Sequence, residues 1–223
     1  MTVLKRSDGG RLWALWVLAS LAALELAFLA TEPVAGRLLF GLSQLGLEPR
    51  VAGLSLIPVR LATAGAGLGL AQWLVLRRRI EHVGRWPVAT TVGAVLSAPL
   101  LIVIALAFQL PEPHKLGQTE SLAFAALNGS ATGICIALGQ LPVLGRRLAG
   151  TQVWLAAGVV GYGLGAVSTM ALSVYAFLPF ELNAAVTGGI LGAVTGLALL
   201  HLFGRAPRTP ALPGTQIARA SSG

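Results

Sequence analysis

Charge is what this chain has least of. Asp, Glu, Lys and Arg make up 11% of its 223 residues, against about 25% in ordinary soluble domains. So little charge excludes a soluble globule with a charged surface, and also a disordered chain. Cysteine is nearly absent, with one in the chain, which excludes a disulfide framework. One cysteine and three scattered histidines also give no ligand set for zinc, so neither metal nor cofactor is expected. Aromatic residues are 6%, and no aromatic-and-basic face for stacking bases is visible. The net charge of +8 therefore does not point to nucleic acid. What is present is apolar: 55% of the side chains and a mean hydropathy of +0.78.

A bilayer core of about 30 Å needs about 20 helical residues at 1.5 Å each. Six runs meet this: about Leu12 to Thr31, Ile57 to Leu76, Trp86 to Leu110, Leu122 to Leu144, Val153 to Phe177 and Phe180 to Phe203. Pro99 predicts a kink inside the third. None alternates with period two, which excludes a transmembrane β-barrel. The spacing of Leu38, Leu39, Leu42 and Leu45 predicts a separate interfacial helix over Val34 to Leu45, in the loop between Glu32 and Pro58. After Gly204 the chain is basic and Pro-rich, and is expected to be a disordered cytoplasmic tail over 204–223 beyond one transmembrane domain, 1–203.

The basic residues mark one side. With the N-terminus inside, Lys5, Arg6, Arg11, Arg77, Arg78, Arg79, Arg85, Arg146, Arg147, Arg205, Arg208 and Arg219 are cytoplasmic, and only Arg37, Arg50, Arg60 and Lys115 are not. This is the positive-inside pattern, and it places both termini in the cytoplasm of a bacterial inner-membrane protein. Glu32, Glu48, Glu112, Glu120 and Glu181 fall in or near the outer connections. Trp13, Trp16, Trp73, Trp86 and Trp154 all lie near the inner ends and are expected to be interfacial anchors. The first apolar run is too long for a leader peptide and contains Glu25, so it reads as a signal anchor.

Shifting the sequence by 68 positions superimposes Gly65 on Gly133, Gln72 on Gln140, Arg78-Arg79 on Arg146-Arg147, and Trp86 on Trp154. Thirteen of the 34 positions from Gly65 to Ala98 are identical. Apolar composition alone does not align Gln, Arg-Arg and Trp in one register, so duplication of a helix pair is expected, in units of about 60–110 and 128–177. Gly192, Gly196 and Arg205 echo Gly65, Gly69 and Arg78 at an offset of 127, which places Leu199 where the glutamines stand. Gly10-Arg11 and Trp13 echo Gly84-Arg85-Trp86. The expected fold is all-α: a polytopic membrane protein of six transmembrane helices, with parallel two-helix repeats in a pseudo-threefold arrangement. That arrangement requires the first and last helices to be neighbours.

Small residues recur four apart at Gly65/Gly69, Gly133/Ala137, Ala157/Gly161/Gly165 and Gly188/Gly192/Gly196. Such spacing lets membrane helices approach closely and predicts packing grooves rather than a backbone-lined pore. Gly69-Leu70-Ala71-Gln72-Trp73-Leu74-Val75-Leu76-Arg77-Arg78, followed by Trp86 and Ala89-Thr90, resembles a repeat of uncharacterised bacterial multi-pass membrane proteins. The resemblance covers the second to fifth helices, and the second copy departs from it with Leu141-Pro142. It implies a related fold in a bacterial membrane and no particular activity.

Four intramembrane polar residues are the candidate site: Glu25, Arg60, Gln72 and Gln140. Glu25 lies 14 residues beyond Arg11, about 21 Å along the helix, where an unpaired acid costs about 2.5–3.5 kcal/mol. Arg60 precedes Arg77 by 17 residues and reaches a similar depth, so a Glu25–Arg60 pair is geometrically allowed. The two glutamines could line a polar passage or bond helices together, and the second role is the expected one. A Ser130–His201 protease dyad fails, because the two residues differ in depth by about 18 Å. Gly65-x-Gly67-x-Gly69 and Gly161-x-Gly163-x-Gly165 lie within apolar spans with no preceding strand, so a nucleotide loop is rejected. Cys135 reads as a packing residue.

With no catalytic constellation, the chain is expected not to be an enzyme, and to have a structural or accessory role. The alternative is a small-solute or ion pathway along the repeat axis. A hydrated cavity reaching Gln72 and Gln140 would favour the pathway, and a dry, glycine-packed axis the structural role. The expected partners are the lipid bilayer and a membrane-protein partner or a second copy.

Overall fold

The computed structural model describes residues 6–80, 83–108, 117–144, 151–175 and 182–205. The segments around Glu112, His114, Lys115, Arg146, Arg147, His82 and Glu181, and the tail from 206 to 223, lie outside the described residues. Among the described residues there is no strand. The helices are α1 (Arg6–Gln44), α2 (Pro49–Ser55), α3 (Ile57–Leu76), α4 (Trp86–Leu96), α5 (Ala98–Ala107), α6 (Gln118–Leu144), α7 (Thr151–Tyr175) and α8 (Asn183–Arg205). Among the described residues, six stretches are long and apolar enough to cross a membrane: Asp8–Gln44, Pro49–Leu76, Val83–Ala107, Gln118–Leu144, Gln152–Ser173 and Asn183–Gly204. The chain is a multi-pass integral membrane protein.

The six stretches close into a ring. In order, α1 packs on α3, α3 on α4, α4 on α6, α6 on α7, α7 on α8, and α8 back on α1. The first and last spans are therefore neighbours. Glycines set the spacing. A Cβ on Gly65 would lie 2.8 Å from that of Ala94 across the α3–α4 contact. One on Gly93 would lie 2.6 Å from the Cys135 carbonyl oxygen (α4–α6), and one on Gly188 2.6 Å from that of Ser20 (α8–α1). Gly133 meets the carbonyl of Gly158 between α6 and α7. In lipid, where apolar transfer gives helices no reason to associate, such backbone approach supplies the dispersion contact that holds them. The small-residue spacings are thus packing grooves.

Two prolines break spans, and two lie inside unbroken helices, Pro33 in α1 and Pro142 in α6. The third span interrupts at Ser97, two residues before Pro99, whose ring cannot follow the Val95 carbonyl through a straight helix. Beside the break the Ser97 hydroxyl donates to the Ala94 carbonyl at 2.6 Å. Leu56 separates α2 from α3 in the same way, ahead of Pro58. Pro33, in contrast, lies inside α1, and the separate interfacial helix expected over Val34 to Leu45 is instead the continuation of α1. Contacts on both sides of the proline keep the helix going. Thr31 bonds Thr63 at 2.7 Å, Glu32 pairs with Arg60, and Ala35 is buried just beyond. The helix ends at Gly46, whose φ of 77° is open to glycine and few other residues. At 39 residues, α1 is about 58 Å long, nearly twice the thickness of a bilayer core.

Candidate functional site

The centre of the ring is closed by aromatic rings. Trp16 of α1, Trp86 of α4 and Trp154 of α7 are all 2% exposed or less. Each pair meets edge to face, with centroids 5.7 to 6.2 Å apart and planes at 67 to 74°. This is the favoured geometry for aromatic quadrupoles, worth about 0.5–1.5 kcal/mol per pair beyond burial. Three of the five tryptophans are therefore core residues, not the interfacial anchors their sequence positions suggested. Inward-facing helix positions near the membrane edge bury an indole as readily as lipid-facing ones expose it. Trp73 keeps a rim position with the Arg77 guanidinium 5.0 Å above its ring, and half-buried Trp13 donates to the Ala193 carbonyl.

A buried indole N–H must find an acceptor. Trp86 donates to Gln72 Oε1 at 3.2 Å, and Trp154 donates to Gln140 Oε1 at 3.0 Å. The other end of each amide bonds the neighbouring helix on the opposite side in the ring: Gln72 Nε2 donates to Ser20 Oγ at 3.3 Å, and Gln140 Nε2 to Thr90 Oγ1 at 2.8 Å. Ser20 and Thr90 each stand one turn beyond a core tryptophan, Trp16 and Trp86. Each glutamine thus links three helices. Both are buried, and no buried side-chain nitrogen or oxygen among the described residues lacks a partner.

The third set is shorter. Trp16 donates to Thr195 Oγ1 at 2.9 Å, and that hydroxyl donates to the Leu191 carbonyl at 2.7 Å. The position that meets an indole on α8 is therefore Thr195, not Leu199, and its tryptophan is Trp16, not Trp13. The matching offset from α3 is 123: Gly65, Leu68, Gln72 and Leu76 correspond to Gly188, Leu191, Thr195 and Leu199. Gly65, Gly133 and Gly188 each approach the carbonyl of the residue four beyond a core tryptophan: Thr90, Gly158 and Ser20. Where the other sets have Ser20 and Thr90, the third has Gly158, and a side chain there would press on Ala137 at 2.9 Å. Thr195 and Gly158, the two short members, both line a small void on the axis, about 10 Å³ in volume. Gln72 and Gln140 line it too. That volume is at most one water.

Glu25 and Arg60 do not meet. Glu25 Oε2 accepts from the backbone N–H of Ala185 at 2.9 Å, in the first turn of α8. There it satisfies a donor with no partner inside the helix and sits at the positive end of the helix dipole. Arg60 pairs with Glu32 at 3.0 Å on a half-exposed rim. Sequence depth alone brought Glu25 and Arg60 level; the rotation of α1 turned one towards α8 and the other's partner towards α3.

Among the core residues outside the candidate set are Trp16, Thr195 and Ser20. The signal for two of them was in the sequence, as the Trp16-x-x-x-Ser20 spacing repeated in Trp86-x-x-x-Thr90. Among the described residues no cluster of His, Cys, Asp or Glu could hold a metal ion. The chain matches no protein-family model, no curated protein and no solved structure.

Proposed function

We propose that this chain is a bacterial inner-membrane protein with a structural or accessory role and no catalytic activity, a sealed helical ring rather than a pathway. The observation that carries the reading is the closed axis. Its amides are engaged at both ends by indoles and hydroxyls, and the void between them holds no more than one water. A permeating solute would need to part three interlocked indoles. Glu25, Arg60, Gln72 and Gln140 are each accounted for by helix-to-helix bonds, which supports gluing over conduction.

The same reading makes the ring three helix pairs, α3–α4, α6–α7 and α8–α1, derived by duplication. It is supported by the recurrence of one Trp, one acceptor and one close-approach glycine in each pair. It places Arg11, Arg77, Arg78, Arg79 and Arg85 on the cytoplasmic side with both termini, following the bias of positive charge. The kinship with bacterial multi-pass proteins carrying the Gln-Trp-Leu-Val-Leu-Arg-Arg repeat belongs to this proposal. The test is solute release from proteoliposomes loaded with small ions and neutral solutes. Release at the rate of empty liposomes is expected. Release that is faster, and altered by Gln140→Leu, would overturn the sealed ring in favour of a pathway.

A further inference from the structure

Away from the tryptophan core, the ring opens into a cleft that the sealed axis does not use. It measures about 450 Å³ and lies among α6, α7 and α8, within the range of about 300–1,000 Å³ usual for small-molecule sites. It continues the faces that line the axial void: Thr187 is one turn from Leu191, Ala166 one turn from Tyr162, and Ala125 two turns from Gly133. Ser173 is 19 residues from Trp154 along α7, or about 28 Å. The cleft therefore occupies the leaflet opposite the tryptophans and reaches its headgroup level.

Its walls have two characters. On the α7–α8 side the hydrogen-bonding groups are fixed by one another: Thr169 donates to the Asn183 carbonyl at 3.0 Å and shares a 2.8 Å bond with Thr187, and Ser173 donates to Asn183 Oδ1 at 3.1 Å. Across from them the Asn128 carboxamide lines the cleft and bonds nothing among the described residues. Phe124 and Met170 supply an apolar surface, the thioether being readily adaptable in shape. None of the described lining residues is ionisable. A charged head entering here would lose its hydration without gaining a counter-charge from the described lining, whereas a hydroxyl or ester would find both donors and acceptors there.

We propose that this cleft binds a neutral glycerol-headed lipid, the head against Asn128 and the hydroxyl wall, the start of its chain against Phe124 and Met170. The site does not depend on whether the axis conducts. Native mass spectrometry of the detergent-solubilised full chain, titrated with 1-monolauroylglycerol or with the lauroyl lysophosphatidate of equal chain length, tests it. One monolauroylglycerol is expected to bind per chain, at least tenfold more tightly than the phosphate. Asn128→Leu, which removes a side chain without a protein partner, should weaken that binding at least tenfold, as should Met170→Trp, which fills the cleft. Should Met170→Trp lower the melting temperature, Asn128→Leu decides alone. Equal binding of the two lipids, or unchanged binding in Asn128→Leu, would overturn the proposal.

Discussion

Replacing Gln140 by leucine removes a bond at each end of one amide while keeping the volume close. The Trp154 Nε1–H loses its acceptor in a buried site, and the link from α6 to Thr90 on α4 is lost. Thr90 itself is not orphaned, because its hydroxyl still donates to the Trp86 carbonyl at 2.9 Å. A stranded buried donor costs about 1–3 kcal/mol, and one interhelical side-chain bond in a membrane bundle is worth about 0.6–2 kcal/mol. Gln140→Leu should therefore destabilise the ring by about 2–4 kcal/mol. Helical circular dichroism during titration with dodecyl sulfate in mixed micelles reads this directly. The mechanism is isolated by adding Trp154→Phe, which removes the stranded donor. Its cost should be smaller in the Gln140→Leu background than in the wild type by about 1 kcal/mol or more. Strictly additive losses, or a cost for Gln140→Leu below about 0.5 kcal/mol, would refute the account of the amide as a shared acceptor.

Thr195→Val, nearly isosteric, should cost about 1–3 kcal/mol in the same titration by stranding the Trp16 indole, and a neutral result would remove α8 from the network. Glu25→Gln should cost about 0.3–2 kcal/mol through the first turn of α8. Its effect should add to that of Arg60→Gln, whereas Glu32→Gln and Arg60→Gln should couple. Gly93→Ala, which must displace α6 backbone, should destabilise by about 1–3 kcal/mol. Gly41→Ala, with open space around it in α1, should be neutral or stabilising by up to about 1 kcal/mol. A reporter fused after Arg79 should remain cytoplasmic, and its export would reverse the proposed orientation.

The spans were legible because lipid demands about 20 apolar helical residues and leaves no other solution for the backbone. The glutamines were legible because an amide inside such a span must bond something. The register of the last helix was not, and the reason is specific. Gly188, Gly192 and Gly196 repeat every four residues, so a slip of one turn matches glycine on glycine equally well. The Trp16–Thr195 bond and the carbonyl that each glycine touches separate an offset of 123 from 127. The tryptophans misled for a related reason: closeness to the membrane edge is a one-dimensional fact, while burial depends on which way the helix is turned. A separate helix over Val34 to Leu45 was expected from leucine spacing, whereas α1 continues through Pro33, which local rules disfavour inside a helix. The bonds from Thr31 and Glu32 to α3 that carry the helix past it belong to tertiary structure. The cleft residues Thr169, Ser173 and Asn183 drew no notice, being neutral and scattered over two helices.

A sealed ring requires a core closed to water around Trp16, Trp86 and Trp154. Hydrogen exchange of the five indole N–H groups, followed by nitrogen-edited NMR after transfer into deuterated buffer, measures that closure. Three signals should persist long after that of Trp73, which sits at the rim, has exchanged. Exchange of all five indoles at one fast rate would contradict a sealed axis.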